Sequence, residues 1–99
     1  MEKRTEYVVF DNYGEIKEFD SLEEANNYME KYINEDLPSL IAEGEISGVT
    51  EVGITKKVYE VKSRETFRRR DGTRLTITNS KQIKEVEMCR RFLNFNKED

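Results

Sequence analysis

The chain has no histidine and no tryptophan, and among its 99 residues it has one cysteine and one proline. Without histidine it lacks the commonest general base and the commonest metal ligand at neutral pH. The single thiol, Cys89, can form no internal disulfide and cannot build the cysteine clusters of structural zinc sites. The five glycines are scattered singly, so no phosphate-cradling loop is present. No segment follows the spacing of acids and glycine in an EF-hand. No apolar run reaches the ~18 residues that cross a membrane as a helix, and the N-terminus has no charged-then-apolar leader. The expectation is therefore a soluble, cytoplasmic, non-enzymatic protein with no catalytic residues, no metal and no cofactor.

Hydrophobic residues make up 35% of the chain and charged residues 38%. That balance leaves room for one modest core, so a single α+β domain over residues 1–99 is expected, and the case for folding rests on pattern. Charge is unevenly spread: Met1 to Glu51 holds 14 acidic against 4 basic residues, and Val52 to Asp99 holds 7 against 13. Such an asymmetry points to interaction surfaces.

"EYVVFDNYGEIKEF" reads as a β-hairpin. A three-residue turn of Asn12, Tyr13 and Gly14 would set Phe10 opposite Ile16 on one core face. "SLEE" at Ser21 to Glu24 is a capping box, and Leu22, Ala25, Tyr28, Met29, Tyr32 and Ile33 follow at the spacing of an amphipathic helix. Pro38 should break or kink that helix, with Asp36 capping a short second one that ends near Gly44. A turn at Ser47 and Gly48 should follow. Val49–Ile54, weakened by Gly53, and Lys56–Arg69 read as separate strands. On the second, Tyr59, Val61 and Phe67 share one parity, while Lys56, Lys62, Arg64, Arg68 and Arg70 share the other. The C-terminal "NSKQIKEVEMCRRFLNF" places Ile83, Val86, Cys89 and Phe92/Leu93 at helical spacing, so a C-terminal helix is predicted, with a frayed "NKED" end. Together these elements predict an antiparallel sheet of about five strands, the N-terminal hairpin plus a three-stranded run, covered on one face by two helices.

The stretch "FRRRDGTR", residues 67–74, allows two turns. A two-residue turn at Asp71 and Gly72 would split the apolar residues between faces. A loop of Arg70, Asp71 and a left-handed Gly72 pairs Phe67 with Leu75 and Glu65 with Ile77, and sets Arg68 beside Arg74. Core burial favours the second.

Two surfaces are candidates for binding. Lys62, Arg64, Arg68, Arg69, Arg70 and Arg74, with Lys56, Lys81 and Lys84 nearby, form a basic hairpin suited to an acidic protein or a phosphate backbone. The same arginines also read as solvated strand residues that guard an edge. Glu23, Glu30, Glu35 and Asp36 form an acidic helix flank suited to a basic site on a partner. Their carboxylates read otherwise as ordinary solvated surface, and Cys89 as core packing. Tyr59 and Phe67 do not interleave with the arginines, which leaves a nucleic-acid surface without stacking platforms. The expectation is a small interaction protein with a protein partner, with a nucleic-acid-binding module as the alternative and a homodimer compatible with the opposed charges. Short, charged and free of catalytic residues, the chain is similar in style to the accessory or inhibitory proteins of bacteria and phages that act by binding a larger host protein.

Overall fold

Ser21 starts the helical part of the molecule as its local chemistry requires. Its backbone is extended, and its hydroxyl accepts from the amide of Glu24 at 3.1 Å. The helix α1 then runs from Leu22 to Lys31 and buries Ala25 and Met29. It does not stop at its end. A π-helical turn, Tyr32–Asp36, carries it directly into α2, Leu37–Ala42. The amide of Leu37 donates to the carbonyl of Tyr32, five residues back. Widening the helix just before Pro38 accommodates a residue that has no amide hydrogen and whose ring crowds the preceding turn. The break expected at Pro38 is thus a π-turn within one helical segment, and Asp36 makes no side-chain cap.

The computed structural model describes residues 2–44, 48–49 and 51–93. Its other elements are four strands: β1 (Lys3–Asp11), β2 (Gly14–Phe19), β3 (Glu51–Arg68) and β4 (Arg74–Phe92). They form one antiparallel sheet in the order β2-β1-β3-β4. The five-stranded sheet covered by two helices is therefore corrected to four strands under one helical segment. The two strands expected on either side of Thr55 are one strand of 18 residues. The predicted C-terminal helix is the 19-residue strand β4.

Bulges explain much of the difference. Lys56 pairs with Val86 and Ile54 with Cys89, so Met88 is an extra residue between them. Val86 and Cys89 therefore share a face at a spacing of three, which imitates a helical period in a strand. Ile83 is a second extra residue of β4, between Gln82 and Lys84. In the first hairpin Phe10 pairs with Glu15 and Val9 with Lys17, which leaves Ile16 extra. Phe10 and Ile16 are thus not cross-strand partners.

The core lies between the helical segment and one face of the sheet. It comprises Val9, Ala25, Met29, Tyr32, Ile33, Leu37, Val49, Val52 and Ile54, flanked by Tyr7, Ile16, Phe19, Leu22, Tyr28, Cys89 and Leu93. Cys89 packs there as expected, but from a strand. The Tyr32 hydroxyl donates to Asp11 at 3.1 Å, and this bond ties the π-turn to the end of β1. Among the described residues no helix is long and apolar enough to cross a membrane. Gly48 has the left-handed φ of a turn, while its predicted turn partner Ser47 and the "NKED" end lie outside the described residues.

Candidate interaction site

β1 ends its pairing with β3 at Lys3–Glu60, where the amide of Val61 still donates to the carbonyl of Glu2. Beyond that point only β3 and β4 continue, as a two-stranded arm over residues 62–80. The described chain accordingly measures 61 × 33 × 21 Å with a radius of gyration of 18.0 Å. A compact chain of this length has a radius of about 13 Å.

The tip follows the predicted register. Phe67 pairs with Leu75, Glu65 with Ile77 and Arg68 with Arg74. Arg69 and Thr73 close a loop of three residues in which Gly72 has φ +89. The Asp71 carboxylate accepts from the amide and the hydroxyl of Thr73. Those bonds hold its pKa below the ordinary value and commit it to the turn. The physical reason expected for this register does not apply, because among the described residues no core lies over the arm. Phe67 is 48%, Leu75 38% and Ile77 51% exposed.

The arm has two chemically distinct faces. The pairs Glu65–Ile77 and Phe67–Leu75 lie on one. Arg64–Thr78, Thr66–Thr76 and Arg68–Arg74 lie on the other, where the two threonine hydroxyls meet at 3.2 Å. β4 is unbroken from Arg74 to Gln82, so alternation along it assigns the apolar face to the side that carries the helix farther down the sheet. The arginine face continues the open side.

A bulge at the root divides the expected basic stripe. Lys62 is an extra residue between the pairs Val61–Ser80 and Ser63–Asn79. Lys56 shares the helix-side face with Ile54, whereas Arg64 and Arg68, beyond the bulge, lie on the opposite one. The same shift separates Tyr59 and Val61 from Phe67. Tyr59 lies on the open side beneath Arg4, whose guanidinium is 4.8 Å from its ring centroid. A continuous stripe from Lys56 to Arg74 is therefore not formed.

Ion pairing divides the arginines in two. Arg4 pairs with Glu6, Arg64 with Glu2, Arg90 with Glu51 and Glu87, and Arg91 with Glu30. Lys62 pairs with Glu60, whose pKa this lowers. By contrast, Arg68, Arg69, Arg70 and Arg74 have no carboxylate within ion-pair distance among the described residues. Of the acidic candidates, Glu30 joins Arg91 to the helix and also accepts from Asn34, while Glu23 is exposed in the first turn. Glu35 is exposed, and Asp36 helps raise the pKa of Tyr28 and Tyr32. These acids line the helical segment.

Sequence reasoning missed the apolar site. Six of the eight large hydrophobic residues exposed among those described lie on β4: Leu75, Ile77, Ile83, Val86, Met88 and Phe92. Reading residues 79–95 as a helix with a buried stripe concealed the last four, and assigning Leu75 and Ile77 to a core face concealed the other two. On the open side of the body, a shallow depression of about 370 Å³ lies between Phe10, Glu15, Thr55, Glu87 and Arg90. Of its charged groups, Glu15 is paired with Lys57 and Glu87 with Arg90. Among the described residues no cluster of ligating side chains is arranged to hold a metal. In comparisons with known proteins, no family model, no characterised protein and no solved structure matches the chain.

Proposed function

We propose that the chain is a non-enzymatic interaction protein that binds a protein partner with its two-stranded arm. One observation carries this reading: the arm contributes nothing to the core, yet it holds an exposed apolar row, Phe67, Leu75 and Ile77, on one face, and at its tip and on the other face four arginines without acidic partners among the described residues. Apolar anchors rimmed by unpaired guanidinium groups are the composition of a protein interface, where aromatic residues and arginine carry a large share of the binding energy. The matching surface is an apolar groove bordered by carboxylates. A cytoplasmic accessory or inhibitory role, in which the arm occupies a site on a larger protein, fits this surface.

The test is site-specific photo-crosslinking from Thr76 on the arm and from Glu18 on the body, in a bacterial lysate. A discrete crosslinked product from Thr76 that disappears with Phe67→Asp supports the reading. Equal labelling from both positions argues against it.

A second reading, nucleic-acid binding, is favoured by one observation. Arg64, Arg68 and Arg74 lie on one face of a two-stranded ribbon, and a major groove admits such a ribbon. Against it, Phe67 lies on the opposite face and offers those arginines no stacking platform. Anisotropy with labelled oligonucleotides decides the matter. Phosphate binding weakens steeply between about 50 and 200 mM salt and is lost in Arg68→Glu/Arg70→Glu/Arg74→Glu.

A further inference from the structure

We infer that the partner of the arm is a second copy of the same chain, laid antiparallel along β4 so that each arm covers the flank of the other's body. This rests on the reading of the arm as a docking element and names its occupant.

The lengths match. At about 3.3 Å per residue, the arm from Lys62 to Asp71 and the body strand from Glu51 to Val61 are each roughly 30 Å long. They divide the 61 Å molecule into nearly equal halves. A two-fold axis at the root of the arm, near Ser80 to Ile83 on β4, therefore sets each arm against the other body from root to end. No other placement along β4 leaves both arms fully covered.

The chemistry matches along the apolar part of that contact. Ile77, Leu75 and Phe67 run on the helix-side face, and in the antiparallel arrangement they adjoin the same face of the second β4. There Val86 presents its side chain, and the helix forms a wall. The side of the helix nearest β4 is identified by the ion pair between Glu30 and Arg91. Seven residues earlier, Glu23 lies on that same flank. At the end of one arm, Arg69, which shares the parity of Phe67, and Arg70 in the loop thus reach the acidic flank of the other helix. Within one copy the two halves already pair at Glu2–Arg64, Glu15–Lys57 and Glu30–Arg91, and opposing two copies supplies acidic partners to the tip arginines as well. The extra residues at Ile83 and Met88 interrupt regular edge pairing, so side chains and not a continuous backbone ladder make the contact.

The test is sedimentation equilibrium of the full chain from about 1 to 200 µM, in 50 and 300 mM salt. A dimer is expected, dissociating more readily at the higher salt. The variant Arg69→Glu/Arg70→Glu should weaken it at least tenfold, as should Glu23→Lys/Asn27→Lys, which leaves the Glu30–Arg91 pair in place. An equimolar mixture of these two variants should recover a heterodimer, because the opposed charges are restored at one of the two contacts in reversed sense. Ile77→Asp tests the apolar row separately. All these positions are exposed, and unchanged far-ultraviolet circular dichroism verifies folding. A chain that remains monomeric at 200 µM in low salt overturns the inference, as does a dimer indifferent to all three variants. A monomer whose arm still crosslinks another protein sinks the dimer alone. A monomer whose arm crosslinks nothing sinks the proposed function with it.

Discussion

Gly53 lies under the ring of Phe10 with no space for a methyl group between them. A Cβ at position 53 would stand 2.5 Å from Phe10 Cζ and 2.5 Å from the carbonyl oxygen of Cys89. Neither neighbour can retreat freely. The ring is covered from outside by the Arg90 guanidinium, 5.3 Å from its centroid, and the carbonyl belongs to the paired strand β4. Gly53→Ala should therefore destabilise the protein by about 1–3 kcal/mol in urea unfolding. A neutral result would show that the strand can open there without cost.

Stability should be confined to the body. Ile54→Ala removes a fully buried side chain and should cost about 2–5 kcal/mol. Phe67→Ala and Ile77→Ala, on the arm, should each change the stability of the monomer, measured at a protein concentration too low for dimers, by less than about 0.5 kcal/mol. A large loss at Phe67 in urea unfolding would mean that the arm is part of the cooperative unit.

At the start of α1, the Ser21 hydroxyl satisfies the amide of Glu24. Ser21→Ala should cost about 1 kcal/mol, and Ser21→Asp should retain most of the stability. Equal losses in both variants, read from urea midpoints, would rule out the capping bond as the cause.

Burial, assisted by the hydrogen bond to Asp11, pushes the Tyr32 phenol up to about 12 from an ordinary value of 10.0. A folded-state pKa above the unfolded one gives stability that is complete below pH 10 and is lost as pH rises through 12. The melting temperature should fall across that window, and Tyr32→Phe should flatten the fall. An identical alkaline slope in wild type and variant would assign the loss to other groups.

Local signals made the first half of the molecule legible and long-range pairing obscured the second. The Ser21 cap and the stripe from Leu22 to Ile33 depend on residues a few positions apart, and both are present. The loop of Arg70 to Gly72 is likewise local and stands, although burial is not its cause. β4 was not legible because Met88, an extra residue, spaces Val86 and Cys89 like a helix. The long template offered by β3 decides its conformation, and no window of sequence contains that template. Gly53 reads as a strand breaker until Phe10, 43 positions earlier, is seen lying on it. The basic stripe failed for a related reason: one extra residue, Lys62, reverses the parity of everything after it. The exposed apolar row could have been suspected from Leu75 and Ile77, which alternate with arginine and threonine in a segment that no other element was available to cover.

The tip of the arm carries three consecutive arginines, all exposed and far from the core. Trypsin should therefore cut the native protein first between Arg68 and Arg70. Such a cut leaves Glu51 to Val61 paired with β1 and with the second half of β4. The two fragments should remain one folded particle, separable only in denaturant. The binding element can then be disabled by a single peptide-bond cleavage without unfolding the body, and the same tip is the position where a tag, a reporter or new chain termini can be introduced.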